Sequence, residues 1–246
     1  MFGFRSAVPS RAHRSLLAAE NALAAQSIGH PDGWGIGWFV DDDAYVLKTA
    51  KAAHACERFQ RTCERLASHT FVVHVRRATV GEIDPVNAHP FRFGRWLFAH
   101  NGTLLDFAPK LHAQFQPVGS TDSELAFCWI MQELAKSHAG MPQIDELTLT
   151  LRELAAQLAE RGTFNFLLGN GLALWAHAST QLHYVERSHP FAHAQLRDED
   201  LSIDFSQHNH PGDKIAVVVT APLTTNEDWQ AFAPHTLKVF VDGQAI

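Results

Sequence analysis

The segment Phe164-Asn165-Phe166-Leu167-Leu168-Gly169-Asn170-Gly171-Leu172-Ala173-Leu174-Trp175-Ala176-His177-Ala178 sets two apolar runs on either side of a Gly-Asn-Gly turn. Each run is too short for a typical helix, and glycine beside asparagine readily supplies the positive φ that a tight hairpin needs. The expectation is an antiparallel pair of buried strands. Further strands read at 183–187, 214–220 and 236–241. Upstream lie two helical stretches, 121–136 and 145–161, the second with Leu147, Leu151, Leu154, Ala155 and Leu158 on one face.

Nearer the N-terminus, Ser10 is placed to cap a helix over 10–27, with Leu16, Leu17, Leu23 and Ala24 as its apolar positions. Gly29-His30-Pro31-Asp32-Gly33 breaks it, and strands at 35–40 and 44–48 hinge on Asp41-Asp42-Asp43. A helix over 52–66, a strand over 70–76, a loop over 79–93 and a strand over 95–100 that stops at Asn101-Gly102 complete the pattern. Strands flank a helical middle without repeat or regular alternation. That predicts a layered α+β fold with mostly antiparallel sheets. No Pro/Ser/Gly linker divides the chain, so a single domain over 1–246 is expected.

Composition narrows the function. The 246 residues are 46% hydrophobic and 19% charged, a globular profile. Lys plus Arg number 20 against 26 Asp plus Glu, giving a net charge of −6. With no basic stripe, a nucleic-acid partner is not expected. No apolar run approaches the roughly 20 residues needed to span a bilayer, and no signal-peptide pattern opens the chain, so the expectation is cytoplasmic, with no membrane partner. Cys56 and Cys63 would lie about 10 Å apart along one helix face, too far for a disulfide, and with Cys128 the count is odd. Such usage suits a reducing compartment. The 16 histidines are scattered without HExxH or zinc spacing, so solvated surface rather than a metal site is expected for them.

Several short motifs carry possible chemistry. Gly33-Trp34-Gly35-Ile36-Gly37 lacks the third-glycine spacing of a dinucleotide fingerprint and leads into a strand. His74-Val75-Arg76-Arg77-Ala78-Thr79 ends an apolar strand with adjacent arginines. Strand alternation turns one of them toward the core, where its fork needs an anion from protein or substrate; an ordinary surface arginine is the alternative. Asn87-Ala88-His89-Pro90-Phe91 is a loop, and Asn101-Gly102 reads as a turn or as an oxyanion hole. Thr121-Asp122-Ser123-Glu124 matches a capping box, which leaves Asp122 free to take an amino group. Leu223-Thr224-Thr225-Asn226-Glu227-Asp228-Trp229 is a polar loop that a simple connection would explain.

In their order, DGWG at 32–35, HVRRATVG at 74–81 with NAHPF at 87–91, FAHNG at 98–102 and GSTDSE at 119–124 resemble the class II glutamine amidotransferase domain. The FNFLL run and the TTNEDW loop are similar to its free-standing members, and the likeness runs from about Gly3 to the C-terminus. The resemblance implies an N-terminal-nucleophile hydrolase fold, a four-layer αββα sandwich. It implies hydrolysis of the side-chain amide of glutamine, or of a γ-glutamyl compound, with release of ammonia or an amine. By the same resemblance Arg76 holds the α-carboxylate and Asp122 the α-amino group, while Thr79 and His89 line the pocket. Asn101 and the Gly102 N–H form the oxyanion hole, and Trp34 shapes the floor near the nucleophile. No cofactor is implied. The partners are the small-molecule substrate and, where ammonia is used elsewhere, a separate ammonia-accepting enzyme.

One element of that pattern is absent. The family's nucleophile is a cysteine exposed as the mature first residue, with its own α-amine as base. Here the chain opens Met1-Phe2-Gly3-Phe4, and matching Gly3 to the family's glycine sets the cysteine two residues before Met1. Cys56, Cys63 and Cys128 are internal, and a Met1 thioether has no ionisable proton. As written, the chain is not expected to turn over glutamine. Either the cysteine precedes Met1 in the natural protein, or the site binds a glutamine-like ligand without reaction; the retained pocket residues favour the first.

Overall fold

The computed structural model describes residues 1–188 and 213–246. Its strands are β1 (Phe2–Ser10), β2 (Trp34–Val40), β3 (Asp43–Thr49), β4 (Ser68–Val75), β5 (Phe91–Phe93), β6 (Trp96–Leu104), β7 (Gly162–Gly169), β8 (Leu174–Ala178), β9 (His183–Ser188), β10 (Lys214–Val219), β11 (Gln230–Ala231), β12 (Thr236–Val241) and β13 (Gln244–Ala245). The helices are α1 (His13–Leu17), α2 (Leu23–Gln26), α3 (Glu57–Arg65), α4 (Asp122–Ser137) and α5 (Ile144–Ala159). One sheet runs β11-β9-β10-β1-β4-β2-β3 and the other β13-β12-β8-β7-β6-β5, antiparallel throughout.

Side-chain alternation turns these sheets into four layers. On β4, Phe71, Val73 and Val75 pack with Leu16, Leu23 and Phe59 of α1–α3. Val72, one position out of phase, instead joins Leu97, Leu167 and Leu174 between the sheets. The far face of the second sheet sets Phe98, Phe166, Leu168 and Trp175 against Phe127, Ile130, Leu151 and Leu158 of α4 and α5. Three apolar interfaces separate four layers, helix–sheet–sheet–helix, which fits the layered α+β reading of the sequence and the four-layer sandwich that the resemblance implies. Strands buried on both faces read as continuous apolar runs, which is why Phe166–Leu168 shows no polar alternation.

Two expectations are corrected. The helix expected over 10–27 is two short helices whose N-caps, Ala12 and Ala22, make no side-chain cap bond; Ser10 instead ends β1. β1 sits between β4 and β10, so its backbone is satisfied on both sides and the strand wins. Nor does β6 stop at Asn101-Gly102. It continues to Leu104 because β7 offers partners, Asn101 to Asn165 and Gly102 to Phe164.

The DGWG stretch has a packing reason. A Cβ on Gly35 would stand 2.1 Å from the His89 carbonyl oxygen, so only glycine lets the loop that enters β5 lie against β2.

Candidate functional site

At one end of the sandwich the C-terminal end of β4, the middle of β6 and the first turn of α4 enclose a cavity of about 350 Å³. Arg76, Thr79, His89, Asn101, Gly102 and Asp122, six of the seven residues expected at the site, line it. Trp34 does not. Its indole is buried against the Phe59 ring, 5.0 Å between centroids, in the core beneath α3. Since Gly35 faces His89, its neighbour in the strand must point to the opposite side of the sheet.

Arg76 is 3% exposed, and its guanidinium donates to the carbonyls of Glu82 (3.0 Å), Val80 (2.8 Å) and Gly81 (3.2 Å). The buried arginine therefore braces the loop after β4 from within. Burial lowers its pKa and the nearby Asp32 raises it. Asp32 also accepts from the Ala78 N–H at 2.8 Å, while its own N–H donates to the Arg76 carbonyl at 3.0 Å. The loop's far end is tied by Asn87, which donates to the Glu82 carbonyl and accepts from the Ser120 N–H.

Gly102 has φ +154°, and a Cβ there would stand 1.8 Å from the Thr163 carbonyl oxygen. Beside it, His100 is buried, with Nε2 3.0 Å from the Thr163 carbonyl and Nδ1 2.8 Å from Ser123 Oγ. A carbonyl can only accept, so Nε2 carries the proton and Ser123 donates to Nδ1. That chain locks β6 to α4 beneath Asn101. The Asn101 carbonyl accepts from Asn165 Nδ2, whereas its side-chain amide has no partner among the described residues.

Asp122 is the first residue of α4. Thr121 caps the helix, its Oγ1 accepting from the Glu124 N–H at 3.1 Å, but Glu124 reaches the Gly119 N–H rather than closing the box on Thr121. Asp122 Oδ2 accepts from the Leu104 N–H at 2.7 Å, which anchors the carboxylate at the cavity wall.

The expectation that the histidines are solvated surface is corrected for this region. His74, His89 and His100 are buried and line the cavity. His74 and His89 meet edge to face at 4.5 Å, and both nitrogens of His89 and Nδ1 of His74 lack a partner among the described residues. Burial, reinforced by neighbouring positive charge, pushes both imidazoles well below their ordinary pKa. The sequence carries no periodic signal for this cluster, because the three come from different strands and loops.

The start of β1 adjoins this cluster. Phe2 pairs with Val73 and Gly3 with Val72, and the Met1 carbonyl accepts from the Thr220 N–H. Burial pushes the Met1 amine down to about 5. Continued by two residues, the same register brings the strand opposite Arg76, on the inter-sheet face that Gly3 shares. The polar loop after β10 is more than a connection. Arg187 grips Glu227 through two bonds (2.6 and 2.8 Å), Thr224 donates to the same carboxylate, and Trp229 Nε1 donates to Thr224.

Among the described residues, no group of three or more His, Cys, Asp or Glu side chains is arranged to hold a metal ion, and no helix is long and apolar enough to cross a membrane. Comparison with known proteins is consistent with the motif pattern. A family model described as "Glutamine amidotransferases class-II" matches residues 8–246. The chain is 37% identical over 222 residues to the "Putative glutamine amidotransferase" of Haemophilus influenzae, covering 88% of this chain and 76% of that protein. It is 36% identical over 228 residues to a protein of the same description from Escherichia coli, covering 88% of each. A crystal structure from Pseudomonas aeruginosa, described as a "predicted glutamine amidotransferase", superimposes with TM-score 0.76 at 28% identity over 100% of this chain and 98% of that one.

Proposed function

The chain belongs to the class II glutamine amidotransferase family, and we propose that, with a cysteine two residues ahead of Met1, it hydrolyses the side-chain amide of glutamine or a γ-glutamyl compound. The observation that carries this reading is the β1 register. A residue two places before Met1 falls opposite Arg76, on the face turned to the cavity that Asn101, Gly102 and Asp122 also line.

Bound there, the amino-acid end of the substrate meets one fixed cation and one fixed anion. Asp122 takes the α-amino group, and Arg76, with Thr79 and His89 around it, holds the α-carboxylate. The thiol attacks the amide carbon, its proton passing through the cysteine's own α-amine to the leaving nitrogen. The negative charge that develops on the carbonyl oxygen is met by Asn101 Nδ2 and the Gly102 N–H, each such donor being worth about 3–4 kcal/mol. The thioester is then cleaved by water, giving glutamate and the free thiol. The ammonia is released, or passes to a separate accepting enzyme.

The test is ammonia release from glutamine by the chain carrying Cys and one residue before Met1, with a Ser version as control. Turnover that depends on the thiol is the expected result. Glutamine binding without ammonia, cysteine present, would instead make the protein a binding module on the same fold.

A further inference from the structure

Asn87 does not line the cavity, yet it joins the two segments that carry Arg76 and Asp122. It is buried, and its amide sits between Gly81, in the loop after β4, and Gly119, ahead of α4. Nδ2 donates to the Glu82 carbonyl at 3.1 Å, the same carbonyl that the Arg76 guanidinium meets at 3.0 Å. Oδ1 accepts from the Ser120 N–H at 2.9 Å, two residues before Asp122 opens α4. A carbonyl cannot donate and a backbone N–H cannot accept, so these partners fix which way the amide points. Both glycines make room for it: a Cβ on Gly119 would stand 2.3 Å from Oδ1, and one on Gly81 would stand 3.1 Å from Nδ2. Lys48, on β3, holds the same residue from behind. Its Nζ lies 4.9 Å over the Phe91 ring and donates to the carbonyls of Val86 (3.0 Å) and Ala88 (2.9 Å), which flank Asn87 in the chain.

Arg76 and Asp122 are anchored to different sheets. Arg76 extends β4, bound to the Val80, Gly81 and Glu82 carbonyls with Asp32 beside it, whereas Asp122 is tied to the Leu104 N–H of β6. Asn87 bonds to both segments at once. A ligand bearing two charges gains its second contact at high effective concentration only where the two protein groups stand at a fixed, matching distance. We propose that Asn87, clamped by Lys48, is a positioning residue that sets the spacing of Arg76 and Asp122, and so makes the site select ligands with an amino group and a carboxylate on one carbon. This rests on the amide-cleaving reading above, which gives those two groups to Arg76 and Asp122, and adds what holds them at that distance.

The chain beginning at Met1 has no nucleophile in place, which allows a binding test without turnover. NMR titration, which reads millimolar affinities, would compare three ligands: glutamine; glutaramate, which lacks the α-amino group; and 4-aminobutanamide, which lacks the α-carboxylate. In Asn87→Ala, glutamine should bind about tenfold more weakly while each one-ended ligand changes by less than about twofold, because both charge contacts survive and only their joint fit is lost. Lys48→Met, which leaves every cavity residue in place, should show the same pattern at about threefold. A loss shared equally by the three ligands is what a merely structural residue would give, and it overturns the assignment, as does an unchanged glutamine affinity in Asn87→Ala. An unchanged affinity in Lys48→Met alone removes the clamp from it. If Asn87→Ala does not fold, Lys48→Met decides by the same criterion. If glutamine binds the parent chain no better than the one-ended ligands, the amide-cleaving reading falls and takes this inference with it.

Discussion

Replacing Asn101 by Ala in the cysteine-bearing chain separates catalysis from folding. The Asn101 side-chain amide has no partner among the described residues, whereas its carbonyl accepts from Asn165 at 3.1 Å and its backbone pairs with Asn165 in β7. Truncation therefore removes one donor at the cavity and leaves the β6–β7 ladder intact. Stability should change by no more than about 0.5 kcal/mol, or about 1–2 °C in Tm for a chain of this size. Catalysis should change far more. One oxyanion donor is worth about 3–4 kcal/mol, so kcat should fall by about 10²–10³. KM should move little, because the donor meets charge that develops only in the transition state. Steady-state ammonia release from glutamine and a thermal melt on the same preparation measure both quantities. A kcat within threefold of the parent, with an unchanged melt, would refute the oxyanion role.

Three further outcomes are expected. Asp122→Ala should raise KM at least tenfold and cost about 1–2 kcal/mol of stability, since the Leu104 N–H loses its acceptor; Asp122→Asn keeps an acceptor and should raise KM with less loss, and unchanged KM in both would sink the amino-group role. Gly35→Ala should destabilise by about 1–3 kcal/mol in urea, because its Cβ would collide with buried backbone 2.1 Å away, whereas Gly29→Ala meets nothing nearer than 3.8 Å and should shift stability by under about 0.5 kcal/mol; equal shifts would contradict the packing argument. His74 and His89 are held neutral when folded but free to protonate when unfolded, so stability should be fully present above about pH 6.5 and decline as pH falls below it, each imidazole contributing up to about 1.4 kcal/mol per pH unit. Urea titrations at pH 7.5 and 5.5 should show His89→Asn losing less than the parent on acidification, and an identical loss would remove His89 from that account.

Much of the architecture was legible in the chain. The Gly169-Asn170-Gly171 turn marks the β7–β8 hairpin because Asn170 Oδ1 accepts from both the Leu172 and Ala173 N–H groups, a local bond written in local sequence. The one-faced leucines of 147–158 become the buried stripe of α5 for the same reason. β1 was not legible. Within it, Arg5 is buried between the sheets by Thr70, Gly171 and Asp242, partners far away in sequence, so a charged residue occupies a core position that its neighbours cannot announce.

The site divides along the same line. Motif order marked Arg76, Thr79, His89, Asn101, Gly102 and Asp122, and all six line one cavity. The same order marked Trp34, which went to the helix-facing core, since strand parity is fixed by which neighbour must lack a side chain. Asp32, Asn87, His100 and Ser123, which fix the loop after β4 and the Asn101 strand, were invisible as functional residues because each acts through a partner 23 or more positions away.

The sequence by itself determined the layer class, the hairpin and the two long helices, and its resemblance to a known family marked the candidate site residues. The first three follow from periodicity and turn chemistry, which are short-range. Only the tertiary structure decided that the buried Arg76 also braces loop carbonyls, that Arg77 has no partner among the described residues, and that three histidines gather buried beside the start of β1. Burial and charge balance are sums over strands that meet only when the two sheets close on each other, and no window along the chain contains them.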